Sequence, residues 1–278
     1  MSQAILLSDR GVIELSGADA TTFLHNLVTN DIASLAPGEA RFAALLTPQG
    51  KIIADFLVFV READDGRHLL IDCPRVVAGD LMRRLGLYRL RSKIQIEDRS
   101  NEYDNLAFLS AEPVEAETLT RGRDPRAPGL GWRAIAPKGT VEAESDRAPY
   151  DAARIAAGVP DGLVDFAYGD AYPHEANMDR LAGVDFKKGC YVGQEVVSRM
   201  QHRSGPKKRV TPFRARNAEA PATGTPIVMG EMEIGVAGSH SADAGLALIR
   251  LDRLADGRAA GTLAEAAGIA LDFPDSAE

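Results

Sequence analysis

Hydrophobic and polar positions alternate, cluster and thin out in distinct ways along this chain, and the changes mark its elements. Residues 3–15 alternate as two short strands broken at Asp9-Arg10-Gly11. Gly17 to Asn26 reads as a helix with Ser16 as its cap and an apolar stripe of Phe23, Leu24, Leu27 and Val28. It stops at Thr29-Asn30-Asp31, where short polar side chains compete for the backbone. Two apolar runs, Arg41 to Thr47 and Lys51 to Arg61, flank the turn Pro48-Gln49-Gly50. A third run, His68 to Cys73, follows Asp64-Asp65-Gly66, and Pro74 suits the first position of a helix reaching about Arg89. Lys93 to Glu97 and Leu106 to Leu109 read as further strands. This order predicts an α+β fold rather than a doubly wound one.

Residues 110–149 are rich in Pro, Gly, Ala and acids without a clear period, and predict loops and short pieces. Asp151 to Ala157 resumes a helix that ends at Gly158, with Pro160 beyond it. From Gly205 onward, short apolar runs (Val210–Phe213, Ile227–Met229, Ile234–Ala237 and Leu246–Leu251) alternate with Gly- and Pro-containing turns, as in a small β-barrel. A boundary near 205 divides the chain into 1–204 and 205–278.

Composition adds constraints. With 45% hydrophobic and 26% charged residues, 278 residues can bury a core. A net charge of −8 argues against broad, non-specific nucleic-acid binding. The start, MSQAILLSDRGVIEL, lacks the pattern of a signal peptide, and no run approaches the roughly 18 apolar residues of a membrane span. Two cysteines, Cys73 and Cys190, fit a reducing compartment. The expectation is a soluble cytoplasmic protein with no membrane contact.

Residues 187–209, KKGCYVGQEVVSRMQHRSGPKKR, stand apart. Seven cations against the single acid Glu195 give a local balance of +6. Such a field suits an anionic ligand tail or an RNA backbone, and equally a solvated face. Cys190 follows Gly189, just before a helix-compatible stretch from Val192 to Met200, a setting that favours thiolate; a buried, inert thiol is the alternative. Cys73 ends an apolar strand and reads as core. Two cysteines cannot supply the usual four thiolates of an iron–sulfur cluster, and the five scattered histidines show no zinc spacing, so no stably bound metal is expected. No phosphate-binding glycine loop or nucleophile elbow is present.

Two acids remain. Asp55 interrupts the apolar run Ile52–Val60, facing solvent by alternation or buried for a purpose. Glu175, after Pro173 and His174, has the chemistry to clamp a ring with paired N–H donors, as a pterin offers.

KGCYVGQE (Lys188, Gly189, Cys190, Tyr191, Val192, Gly193, Gln194, Glu195), preceded by Phe186-Lys187 and followed by Val196-Val197-Ser198-Arg199, resembles the signature of the YgfZ family. That family has a mitochondrial branch active in iron–sulfur cluster maturation. SGADATTFLHNLVTNDI, LLTPQGKIIADFLVF, AGVP at 157–160 and PHEANMD at 173–179 agree in order. The layout is also similar to the T-protein of the glycine cleavage system, an aminomethyltransferase that uses tetrahydrofolate.

The resemblance implies a cloverleaf of α+β subdomains around a central folate cavity, with a C-terminal β-barrel and tetrahydrofolate or a derivative as cofactor. By position it makes Glu175 the acid that grips the pterin, and Tyr150 and Arg10 ligand-contacting residues. Asp55 matches the second of the T-protein's paired aspartates, while Ala54 replaces the first. Cys190 defines the YgfZ branch; the basic run with Arg199 and Arg203 would hold a polyglutamylated folate tail and keep the thiol reactive. Two functions follow as expectations. One is a folate-binding factor serving iron–sulfur client or assembly proteins, including enzymes that modify tRNA. The other is a tetrahydrofolate-dependent aminomethyl transferase. RNA contact through 187–209 is a third, weaker expectation.

Overall fold

A computed structural model describes residues 4–110, 112, 113 and 118–274. Residue 3, where the sequence places the first strand's start, and the outer ends of the two expected domains, 1–3 and 275–278, lie outside the described residues.

The first half is built around a five-stranded sheet, β3-β4-β5-β2-β6, made of β2 (Arg10–Ser16), β3 (Ala40–Leu46), β4 (Ile52–Ala63), β5 (Gly66–Pro74) and β6 (Gln95–Asp98). Helices α1 (Ala20–Leu27) and α2 (Arg75–Tyr88) cover one face. Ala54, Phe56, Val58 and Val60 of β4 join Leu69, Ile71 and Cys73 of β5 in that core. Leu57, Phe59 and Leu70 alternate to the other face and enter a second, larger core. Because β4 is buried on both faces, its sequence is almost unbroken apolar. That continuity hides which face Asp55 takes.

Helix α1 begins at Ala20 rather than Gly17. Ser16 is still in strand, paired with Gln95, and makes no cap. Gly17 has a φ of +104° and lies so close to Lys93 that a Cβ would sit 2.3 Å from its carbonyl oxygen.

Residues 110–149 hold more regular structure than expected. Strands β1 (Ala4–Leu6), β7 (Tyr103–Phe108), β8 (Thr120–Arg123), β9 (Trp132–Pro137) and β10 (Ala143–Glu144) form a second sheet in the order β10-β1-β7-β9-β8. The pattern concealed β8 and β9 because β8 is TRGR and the inward positions of β9 include an arginine, Arg133, which is only 1% exposed.

Helix α3 (Ala148–Ala156) follows, and residues 157–193 cross the large core as consecutive turns with Phe166, Ala171, Met178 and Tyr191 buried. A short helix, α4 (Gln194–Arg199), runs into a wider π turn at Met200–Ser204. The chain then enters a closed six-stranded barrel, β11-β14-β13-β12-β15-β16. Its strands are β11 (Lys208–Ala215), β12 (Pro226–Met229), β13 (Met232–Ser241), β14 (Ala244–Arg250), β15 (Ala264–Ala266) and β16 (Ile269–Asp272). Helix α5 (Leu251–Ala259) packs on it through Leu254 and Gly257. Closure leaves no edge strand unpaired.

Candidate functional site

The 187–194 loop is held at both ends. Lys188 Nζ donates to the carbonyl oxygens of His25, Val28 (2.7 Å) and Asn30 (3.0 Å), which ends α1 with a cation and uses all three N–H bonds of the ammonium. Burial pulls the Lys188 ammonium down to about 8, against the opposing pull of Asp31 and Asp185. At the other end Gly193 is left-handed, with φ +80°, and a Cβ there would lie 2.6 Å from the Thr47 carbonyl oxygen. Facing it, Gly50 is crowded as well: a Cβ there would lie 3.0 Å from that of Val196 and 3.3 Å from the Gly193 carbonyl oxygen. The turn Pro48-Gln49-Gly50 and the motif therefore meet backbone to backbone. Tyr191 is buried in the large core, and burial pushes its hydroxyl up to about 12. Between these anchors Gly189 and Cys190 are exposed, with open space around Gly189.

The cationic field is smaller than composition suggests. Lys188 is turned inward, and Arg209 is buried against Asp179 at 2.8 Å. Arg199 pairs with Glu195 at 2.8 Å on the surface. Lys187, Arg203 and Lys207 remain exposed. Gln194 begins α4 half-buried, its backbone N–H donating to the Tyr191 carbonyl oxygen at 3.3 Å.

Asp55 and Glu175 lie along one seam. The segment 169–171 runs beside the start of β4, with Gly169 N donating to Ile52 O at 2.7 Å and Ile52 N to Ala171 O at 2.9 Å. Asp55 is buried at 7% exposure, not solvent-facing, and accepts a hydrogen bond from the Tyr168 hydroxyl. Gly162 makes room for that phenol: a Cβ would fall 2.2 Å from the hydroxyl oxygen. Burial raises the Asp55 carboxyl above its ordinary range, while Tyr168 and Arg10 oppose the rise. Glu175 is half-buried. Its Oε2 accepts from Tyr172 N at 2.9 Å, and Oε1 has no hydrogen-bond partner among the described residues. Burial raises this carboxyl too, against Lys51 and Lys208. Lys51 lies 3.7 Å from the Tyr172 ring centre.

Arg10 and Tyr150 belong to a buried ionic chain. Arg10 Nε donates to Asp72 Oδ1 at 2.6 Å, and Arg133 to the other Asp72 oxygen. The Tyr150 hydroxyl accepts from Arg126 at 2.8 Å and Arg133 at 3.2 Å, and Arg126 pairs with Asp124 at 2.6 Å. The resemblance implies ligand contact for Arg10 and Tyr150, which here are engaged by Asp72, Arg126 and Arg133; apart from Arg133, those residues and Asp124 and Tyr168 carry no mark in the sequence pattern. An arginine inside the run WRAIAP was the available signal, since a buried guanidinium requires a carboxylate. Among the described residues no three His, Cys, Asp or Glu side chains gather as a metal site. No helix there is long and apolar enough to cross a membrane.

Known proteins resemble this chain in sequence and in fold. Residues 5–109 match the GCVT N-terminal domain, and residues 207–277 the CAF17 C-terminal beta-barrel domain. The crystal structure of the glycine cleavage system aminomethyltransferase T from Bartonella henselae superposes with a TM-score of 0.74, over 99% of this chain and 85% of that one. At 17% identity this shows a shared fold. The mouse mitochondrial iron–sulfur cluster assembly factor IBA57 is 31% identical over 246 residues, 78% of this chain and 67% of the mouse protein. The chain belongs to the IBA57 family. The human IBA57 is 33% identical over 75% of this chain and 65% of its own length. The IBA57 homologue of Mycosarcoma maydis is 32% identical, but the chain spans only 55% of its length.

These IBA57 relatives are mitochondrial by name, and the cytoplasmic placement expected from the sequence is corrected on that finding. Two free cysteines separate reducing from oxidising surroundings, not one reducing compartment from another.

Proposed function

We propose that this IBA57-family chain is a YgfZ-type, folate-binding factor that supports assembly or repair of iron–sulfur clusters in client enzymes, tRNA-modifying ones among them. The observation that carries the reading is Cys190, exposed on a loop whose neighbours Lys188, Tyr191 and Gly193 are all anchored. A thiol so presented reaches a partner without the loop having to order first. With Cys73 buried, and burial pushing its thiol up to about 12, Cys190 is the sulfur available to a passing cluster. The cluster is cargo, and its remaining ligands come from another chain.

The seam residues fit a reduced pterin. Glu175 keeps one carboxylate oxygen free to accept from a ring N–H, and the buried Asp55–Tyr168 pair offers further hydrogen-bonding groups. Bound tetrahydrofolate supplies one-carbon carrier chemistry; the chain's own part is to bind and orient it. The test is Cys190→Ala in a strain lacking the protein. The variant is expected to leave iron–sulfur enzyme activities depressed, and full restoration would remove the thiol from the account.

Burial of Asp55 also supports aminomethyl transfer to tetrahydrofolate as a second reading, opposed by Ala54 in place of an acid. Purified protein with tetrahydrofolate and an aminomethyl donor decides it, because turnover no faster than background eliminates that activity.

A further inference from the structure

Helix α2 spends its buried face on Ala78, Leu81 and Leu85. Near its C-terminal end Leu87 is 74% exposed, and in the turn that follows Leu90 is 91% exposed. Leu90 has a φ of +43°, a left-handed conformation that costs a residue with a Cβ roughly 1–2 kcal/mol. Arg89, Arg91 and Lys93 stand around this tip, and none makes an ion pair among the described residues; Arg83 and Arg84 share Asp80. In a chain of net charge −8 this is an apolar point ringed by free cations.

The tip is fixed in place. Asp19 accepts the Lys93 amide at 2.7 Å, and Ser92 N donates to Arg89 O at 2.8 Å. Beside Tyr88 and Ser92 opens a groove of about 320 Å³ that follows α1 past Thr22, Asn26 and Leu27. Helix α1 has eight residues, about 12 Å of rise, and at its far end are the carbonyls gripped by Lys188, two residues before Cys190.

We infer that this tip and groove form a docking face for a protein partner with an acidic, apolar-centred surface, which seats within reach of Cys190. Exposed leucines supply the anchor, the unpaired arginines supply orientation and encounter rate, and the groove gives the concavity that a side chain fills. Asp19, Phe23, Leu27 and Tyr88 line that groove, which therefore takes an uncharged, apolar side chain while the partner's acids meet Arg89 and Arg91; a lipid headgroup or an RNA strand, charged along its length, has no such group to place there. The inference rests on the thiol reading only for what the partner brings.

The test uses the purified full chain and a fluorescent peptide rich in Asp and Glu that carries one leucine and one phenylalanine. Vesicles containing acidic phospholipid and a single-stranded RNA serve as competing probes. Peptide binding is expected to weaken about tenfold or more in Leu90→Ser and in Arg89→Glu/Arg91→Glu, to weaken with salt, and to be unchanged in Cys190→Ala. These substitutions lie on the surface, and an unchanged melting temperature verifies the fold. No peptide binding at low salt overturns the proposal. So does equal binding by every variant, or binding of vesicles or RNA in place of the peptide. Because Cys190→Ala leaves this readout untouched, the docking face and the thiol reading fail separately.

Discussion

Gly50 and Gly193 face each other across a gap that admits no side chain on Gly193 and only a crowded one on Gly50. Their carbons come so close that a Cβ on Gly193 would stand 3.0 Å from Gly50 Cα. Both are left-handed, at φ +81° and +80°, so the contact depends on the absence of a Cβ twice over. Gly193→Ala is expected to cost about 1–3 kcal/mol of stability, measured by urea unfolding. A loss below a few tenths of a kcal/mol would mean that the turn and the motif part without penalty.

Lys188→Met strips the cation from three carbonyl oxygens and is expected to destabilise the fold by about 1–3 kcal/mol. The pH dependence has a definite sign. Below about pH 8 the ammonium is protonated in folded and unfolded chains alike. Between about 8 and the ordinary 10.5, the unfolded chain holds a proton that the folded chain lacks, so stability rises with pH through this group. The wild type should gain on Lys188→Met across that window. Parallel curves would show that the amine titrates as in water.

Asp55 works in the opposite sense. Its carboxyl is raised by burial, so the folded chain keeps a proton over a range where the unfolded chain has lost it. The associated stability is complete below the unfolded value and declines as pH climbs through the folded one. Asp55→Asn leaves an acceptor for the Tyr168 hydroxyl and carries no charge. The variant should therefore overtake the wild type in melting temperature as pH rises toward neutrality, and a constant gap between the two would contradict this.

Glu175→Gln keeps size and the acceptor for Tyr172 N but removes the charge. Titration with tetrahydrofolate is expected to show binding by the wild type and clearly weaker binding by the variant. Equal affinities would count against Glu175 as the pterin acid.

Asp72 stands between Arg10 and Arg133, and Asp72→Ala would leave two guanidiniums buried without their carboxylate. The expected loss is about 3–5 kcal/mol, large enough to lower soluble yield. Wild-type unfolding in Asp72→Ala would mean that water reaches the chain of charges.

The hairpins from Ala40 to Pro74 and the barrel were legible because apolar runs there are separated by strong turn residues such as Pro48-Gln49-Gly50 and Asp64-Asp65-Gly66. What the pattern hid has physical causes. On β4 both faces are apolar, so alternation cannot report that Asp55 turns inward. On β9 an arginine occupies an inward position, and its licence, Asp72, lies far away in sequence. Counting charges in 187–209 gave their number but not their direction, and Lys188 and Arg209 turn away from solvent because carbonyls and Asp179 await them.

Arg209, the second residue of β11, bonds to Asn177 at 3.0 Å and Asp179 at 2.8 Å, while Asn177 Nδ2 donates to Val210 O at 2.9 Å. Val210 N in turn donates to the carbonyl oxygen of Glu175 at 2.8 Å. The first strand of the barrel is thus stitched to the peptide that carries the proposed pterin acid. A shift of β11 cannot occur without dragging Glu175 with it or breaking all of these bonds. A protein that grasped the barrel from outside would hold a lever on that carboxylate, and would need no contact with the ligand to change how tightly it is held.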